Sequence, residues 1–318
     1  MDISPEGEKL RASHPPTRGR EWGEGLLNRS HMIISNREFS GERPLFAIPE
    51  LELEGVTIHA GESALKHCNG LTARHCVFEG KYPIWHNKEA DIIECTFREG
   101  ARAAIWYTND IVMNDSVVEA PKMFRDCREV AVERVKFLNA QETLWNCERV
   151  ELVDVEADQA DYIMMHCEGI DIKNLTLNGN YAFQYSRNIV IRNSLLNTKD
   201  AFWNTENVTV IDSTINGEYL GWHSRNLRLV RCHITGTQPL CYAQGLVMED
   251  CTMGDDCDLA FEYSSLHADI LGPVTSVKNP RTGHIHAERI GSVILDENIW
   301  KPADCEIEQE KPLITDKE

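Results

Sequence analysis

From Leu51 to Leu266 one hydrophobic phrase returns every 19 to 21 residues, and it reads apolar-x-apolar-x-x-(small or apolar)-x-apolar. LELEGVTI (51–58), IVMNDSVV (111–118), IDIKNLTL (170–177), VTVIDSTI (208–215) and LRLVRCHI (227–234) are five of its twelve copies. Its first position falls at Leu51, Leu71, Ala90, Ile111, Val130, Val150, Ile170, Ile189, Val208, Leu227, Leu246 and Leu266, and the residue two places on is also apolar in every copy. A fixed period of about 20 residues marks a solenoid, in which each repeat buries its apolar face against its neighbours.

Alternation inside the phrase places its first and third positions on one face of a strand. Positions six and eight are apolar again, so the alternation slips by one residue, as it must where the chain turns a corner. That corner is polar: Asn114-Asp115, Glu133-Arg134, Lys173-Asn174, Arg192-Asn193 and Glu249-Asp250. A third apolar stretch precedes each phrase by six residues, at Leu45, Leu65, Ile84, Ile105, Phe124, Leu144, Met164, Phe183, Phe202 and Leu240. Three short strands per coil around one stacked core predict an all-β fold. It is a right-handed, single-stranded parallel β-helix of about twelve coils of 19–21 residues. A leucine-rich repeat has a similar period but needs a helical half and an L-x-x-L-x-L-x-x-N framework, and neither is present. Residues 32–305 form the β-helix, with an irregular C-terminal cap over 281–305. Residues 1–31 and 306–318 lack the period and read as a flexible extension and a flexible tail.

Charge narrows the partners. The formal net charge is −19, which argues against nucleic acid, since phosphate binding needs clustered Lys and Arg, and against anionic membrane surfaces. No run of about 20 apolar residues exists to span a bilayer. The N-terminus lacks the apolar stretch of a secretory signal. Eleven cysteines is an odd number. Cys76, Cys95, Cys232 and Cys251 share a column with Ser116, Ser194 and Ser213, while Cys68, Cys127, Cys147 and Cys167 share one with Thr108, Ser186, Thr205 and Ser224. Columns that accept Cys, Ser or Thr select small side chains, so the thiols read as reduced packing residues and the expected compartment is the cytoplasm.

The strings EGKYPIWH (79–86), EGARAAIWY (99–107), EAPKMF (119–124), NAQETLWN (139–146), KDAFWNTENVTV (199–210), GEYLGWHS (217–224) and GTQPLCYA (236–243) resemble an uncharacterised bacterial family. It is a domain-of-unknown-function family with a pectate-lyase-like repeat. The resemblance covers about residues 32 to 305. It implies the β-helix fold and brings no established activity, cofactor or catalytic residue.

Chemistry is concentrated in two adjacent columns. The fifth residue before the phrase holds Trp85, Trp106, Trp145, Trp203 and Trp222, five of the seven tryptophans, and also Lys66, Arg125 and Gln184. The next column carries hydrogen-bonding types, among them His86, Tyr107, Asn146, Asn204 and His223. Loops just upstream add Lys81, Arg102, Lys122, Glu142, Lys199, Asp200 and Glu218. Stacked in register, these line one groove suited to a sugar chain, whose ring faces pack on aromatics and whose hydroxyls need paired donors and acceptors. The expected ligand-binding set is Trp85, His86, Arg102, Trp106, Tyr107, Trp145, Asn146, Trp203, Asn204, Glu218, Trp222 and His223.

Cleavage would need further groups. A glycoside hydrolase needs two carboxylates across the scissile bond, and Asp200 with Glu218 is one such pair. A polysaccharide lyase needs a basic group near a sugar carboxylate. Lys122, Arg125, Glu142 and Asp200 form the candidate catalytic set. Polygalacturonases carry Asn-Thr-Asp, Asp-Asp and Gly-His elements. Asn197-Thr198-Lys199-Asp200, Asp255-Asp256 and Gly283-His284 echo them, but nearly three coils separate Asp200 from Asp255, too far for one site. His284-x-His286 lacks a third ligand at a recognisable spacing, so no metal and no cofactor is expected. The leading reading is a protein that binds an oligosaccharide, acidic or amino-sugar in type, and cleaves it if it is an enzyme. A non-catalytic scaffold is the alternative, and a homo-oligomer contact through the Trp column is the third reading.

Overall fold

The structure, a computed structural model, describes residues 31–296 and 304–310. Within them the chain is all-β and winds through about 14 turns of a parallel solenoid. Every strand pairing is parallel and joins residues one period apart, as in Met32 with Leu51, Ile105 with Phe124 and Val208 with Leu227. One wall is built from strands such as Leu51–Glu54, Asn109–Asn114 and Arg187–Arg192. The next holds Thr57–Glu62, Val117–Val118 and Thr214–Asn216. The third is strand only at Ile84–Trp85, Ile105–Trp106 and Phe124–Arg125. Elsewhere it is a run of turns, as over 199–204 and 218–223. Like side chains stack on like inside, with Phe78 on Phe97 at 4.6 Å and Phe183 on Phe202 at 5.0 Å between ring centroids.

The corners explain the polar columns. In one coil Asn193, Asp200, Phe202, Asn204 and Asn207 all have φ between 51° and 61°. This left-handed backbone crowds Cβ, and Asn, Asp and Gly bear it best. Corner residues then pair along the stack. Asn216 donates to Asn197 at 2.8 Å and Asn197 to Asn178 at 2.7 Å, while Arg134 spans Asp115 at 2.7 and 2.9 Å.

Small size is only half the reason for the Cys/Ser/Thr columns. Where a wall ends, the backbone ladder breaks and leaves polar groups inside, which are costly unless paired. Ser186 is buried; its hydroxyl donates to the Met164 carbonyl at 2.7 Å and accepts from the Cys167 amide at 2.8 Å. Cys167 repeats the pattern one coil earlier, its thiol 2.8 Å from the Leu144 carbonyl and 3.4 Å from the Cys147 amide. Ser264, Thr108 and Cys127 each point a hydroxyl or thiol at the preceding coil in the same way. Every cysteine is unbridged, and burial pushes the thiols of Cys241 and Cys257 up to about 12.

Two expectations about the ends change. The count of about twelve coils becomes about 14 turns, because Met32–Ser35 already pairs with Leu51–Glu54 and the stack continues past Leu266. Of the stretch expected as an irregular cap, Thr282–Ile294 is a strand and Asp304–Gln309, which runs past 305, pairs with it, while residues 297–303 lie outside the described residues. The period hid this coil because it shortens to 17 residues, with Leu266 pairing Gly283. Its first position is also a glycine where a Cβ would lie 1.8 Å from the Leu266 carbonyl oxygen. The extension over 1–31, apart from His31, and the tail beyond 310 lie outside the described residues.

Ser186→Val should strand both the Cys167 amide and the Met164 carbonyl and lower stability by roughly 2–6 kcal/mol, at about 1–3 kcal/mol per group. Ser186→Cys keeps both contacts and should cost less than about 1.5 kcal/mol, with chemical denaturation as the readout. A second expectation concerns pH. His75 sits between Glu54 at 2.7 Å and Glu94 at 2.6 Å, and His59 between Glu79 at 2.9 Å and Glu38 at 3.0 Å. These carboxylates raise both imidazoles above the ordinary value of 6.5. Their contribution is therefore full below pH 6.5, provided the carboxylates stay ionised, and is lost as pH rises through the higher folded values. Thermal midpoints should fall across that interval, and a His59→Gln/His75→Gln double variant should flatten the profile.

Candidate functional site

The predicted ring column exists, and most of it is engaged with itself. Trp85 stacks on Trp106 at 5.2 Å with 8° between the rings. The Arg125 guanidinium then lies between Trp106 at 4.3 Å and Trp145 at 4.5 Å, and the Lys66 ammonium stands 6.0 Å from Trp85. The indole N–H groups of these three tryptophans donate to carbonyls of the next coil: Trp85 to Ala103 at 2.6 Å, Trp106 to Lys122 at 2.9 Å, Trp145 to Tyr162 at 2.6 Å. Trp222 does the same to Gln238 at 2.8 Å. The π faces from Trp85 to the near side of Trp145 are thus covered by neighbours.

The adjacent column owes its composition to the backbone. His67, His86, Tyr107, Asp126, Asn146, His166, Tyr185, Asn204, His223 and Tyr242 all have φ between 52° and 63°, a conformation in which Asn, Asp and His are enriched. Their rings stack along the axis, His86 on Tyr107 at 4.8 Å and His166 on Tyr185 at 5.0 Å. Burial lowers the His86 imidazole, helped by the Lys66 and His67 charges.

The candidate catalytic set divides. Lys122 and Arg125 both meet Glu142, at 2.9 and 3.3 Å. Asp200 lies in the same column as Glu142 but three coils on, about 14 Å away at the spacing of stacked strands. It cannot share a reacting centre with them. The other cations are also committed, Lys81 to Glu62 at 3.6 Å and Lys199 to Glu218 at 3.5 Å. Arg102 has no ion pair among the described residues and is exposed. Asn197, part of the polygalacturonase echo, is spent in the asparagine ladder. His284 and His286 each face a single carboxylate, Glu308 at 3.4 Å and Asp269 at 2.9 Å.

The coil over 199–204 differs from its neighbours. The column of Glu142 continues as Tyr162, Tyr181, Asp200 and Tyr219, each amide bonded to the following coil. Tyr162 stacks on Tyr181 at 4.8 Å, and Tyr219 packs edge-on to Trp222 at 5.2 Å. Asp200 replaces a ring there and is only 5% exposed. Burial raises its carboxyl, Lys199 pulls it down, and Glu218 raises it further. Trp203 leans on His223 at 6.5 Å, and its indole N–H has no carbonyl partner among the described residues, unlike those of the other four column tryptophans.

His223 also opens a cleft of about 450 Å³, lined by Tyr242, Ala243, Gln244, Tyr263, Ser265 and Arg281. Its wall is a ring stack, His223 to Tyr242 at 4.9 Å and Tyr242 to Tyr263 at 5.4 Å. Burial raises the Tyr242 phenol and Glu262 adds to it. Of the cleft only His223 was in the predicted set. Tyr263 and Arg281 fall where the period shortens, and Gln244 and Ser265 carry no columnar signal. The Tyr162, Tyr181 and Tyr219 column is legible in the sequence at the same spacing as the tryptophans beside it.

A family model described as "Protein of unknown function (DUF3737)" matches residues 32–308, and the chain belongs to that family. No curated protein matches it. Among solved structures it is similar to the surface adhesin PfbA of Streptococcus pneumoniae, at 8% identity and a TM-score of 0.37 over 91% of this chain and 89% of that one. It is also similar to the A-module of the Azotobacter vinelandii mannuronan C-5 epimerase AlgE6, at 10% identity and a TM-score of 0.36 over 89% and 92%.

Arg125 is the keystone of the closed part of the ladder. Arg125→Ala should lower stability by about 2 kcal/mol through two lost cation–π contacts. Arg125→Lys should recover less than half of it, because an ammonium cannot lie flat between two indoles. Chemical denaturation of the three proteins checks both.

Proposed function

We propose that this DUF3737 protein binds a saccharide chain along its ring-lined face, seated in the cleft from His223 to Arg281, and does not cut it. The cleft carries the reading. At about 450 Å³ it lies within the roughly 300–1,000 Å³ of small-molecule sites. It joins ring surface at Tyr242 and Tyr263 to an amide at Gln244, a hydroxyl at Ser265 and a guanidinium at Arg281. A pyranose presents the complementary surfaces, apolar C–H faces and a rim of hydroxyls. Trp203, Asn204, Trp222 and His223 extend the same face by a further coil.

Binding without cleavage fits the separation of the catalytic candidates. Lys122 and Arg125 are both tied to the one Glu142 carboxylate, and Glu218 is held by Lys199. A lyase would need a basic group free to take a proton, and a hydrolase two carboxylates across one bond. Ion-paired Lys81, Lys122, Arg125 and Lys199 also leave little to attract sugar carboxylates, so the acidic half of the earlier expectation recedes and neutral or basic sugars remain.

A glycan array followed by calorimetry tests this. Tyr242→Ala should weaken the best ligand at least tenfold, about 1.4 kcal/mol, while Arg134→Ala, at a different corner, should leave affinity unchanged. A folded protein that binds no saccharide class would refute the reading. So would release of shortened sugars from the bound ligand.

A further inference from the structure

We infer that Asp200, Gln184 and Trp203 form a subsite for a hexosamine unit, a ring of hydroxyls bearing a cationic amine; this rests on the saccharide reading above. Asp200 is 5% exposed and Gln184 7%. Neither side chain has a hydrogen-bond partner among the described residues, and neither does the Trp203 indole. The only sealed and unpaired side-chain atoms among those residues are Arg125 Nε and Asn279 Nδ2. The Asp200 oxygens, the Gln184 amide and the Trp203 N–H are therefore unpaired yet open at their tips. They sit on two adjacent coils: Gln184 and Trp203 are successive members of one column, and Asp200 is three residues before Trp203.

The surroundings show that this is a departure and not a general looseness. At two other tryptophans of the column a tyrosine occupies the position of Asp200 and packs on the indole three residues later, Tyr82 on Trp85 at 4.6 Å and Tyr219 on Trp222 at 5.2 Å, and the coils on either side of Asp200 carry Tyr181 and Tyr219 there. Asp200 removes that packing partner from Trp203, whose indole N–H, unlike that of Trp145 three residues after Glu142, also lacks a carbonyl partner among the described residues. A carboxylate and an amide left mostly buried, with only their tips reaching water and no hydrogen bond from the protein, lose much of their hydration without a replacement partner. In a fold that pairs its inner corner groups with the next coil, three such groups together mark a surface completed by something that binds.

Their chemistry selects the occupant. Asp200 offers a carboxyl that gains a partner when an ammonium approaches, with Tyr181 and Tyr219 on either side in its column to favour a cation further. Glu218 lies one coil on, its charge already met by Lys199, whose ammonium stands over Tyr219 at 5.1 Å. A sugar carboxylate would face Asp200 and be repelled. Hydroxyls of the same ring meet the Gln184 amide and the Trp203 N–H. The overall charge of −19 draws a cationic ligand to the protein.

Calorimetry with three tetramers, of glucosamine, of N-acetylglucosamine and of glucose, tests the assignment at about pH 6. The glucosamine form should bind at least tenfold more tightly than the other two. That preference should shrink as pH falls and Asp200 takes up its proton. Asp200→Asn should abolish the preference and raise the thermal midpoint near neutral pH, because it removes a mostly buried charge that no protein group hydrogen-bonds; a purely structural carboxyl would give the opposite shift. Trp203→Phe should keep the ring and weaken all three ligands about threefold. Equal affinity for the acetylated form, or an Asp200→Asn protein that keeps its preference, overturns the subsite. The cleft reading survives that outcome if Tyr242→Ala still weakens binding. Failure of every saccharide overturns both.

Discussion

Each coil of this protein depends on the next for its hydrogen bonds. The backbone amides of one turn donate to carbonyls one period away, and where the strand ladder breaks at a corner a small hydroxyl or thiol carries the bond instead. No coil can bury its core or satisfy its polar groups alone. That dependence forces register, and register places residues far apart in sequence side by side in columns. The phenylalanine stacks inside and the asparagine ladder, charge pairs and ring ladders outside are consequences of one geometry.

Repetition of this kind makes a chemically suggestive column easy to misread. His, Asn and Asp beside the tryptophans look like ligand contacts when read as a list. The backbone at those positions is left-handed and would select Asn, Asp and His without any ligand. Arg125 between two indoles looks like a catalytic cation but is a packed element of the wall. The informative residues are those that break their column's rule: Asp200 where neighbours have tyrosine, and Trp203 where the other indoles reach a carbonyl. Departures from a rule that the fold enforces locally need a separate cause, and ligand binding supplies one.

The fold was legible because its signal is periodic. Leu51 through Leu266 repeat a phrase that only a stacked coil explains, and the polar corners announced themselves as slips in alternation. The last turns were missed because Gly283 replaces an apolar residue and the period contracts there. The ring-lined face was legible as a face, since five tryptophans share one column, but the parts of it that are closed and open were not. Whether Trp85 and Trp106 cover one another, or Trp203 leans on His223, depends on side-chain directions that spacing does not encode. The cleft was invisible for a related reason: Tyr263, Ser265 and Arg281 come to line it with His223 where the period shortens, out of the columns that the spacing marks.

Distance measurements between spin labels on outward positions of one wall test the register most directly. Residues 52, 151 and 209 belong to one column through successive pairings. With Cys305 replaced by serine, labels at 52 and 151 should lie about 24 Å apart and labels at 52 and 209 about 38 Å, five and eight rungs of roughly 4.8 Å. Separations that fail to grow with the number of periods between the labels would contradict the stack, and with it every column from which the site is built.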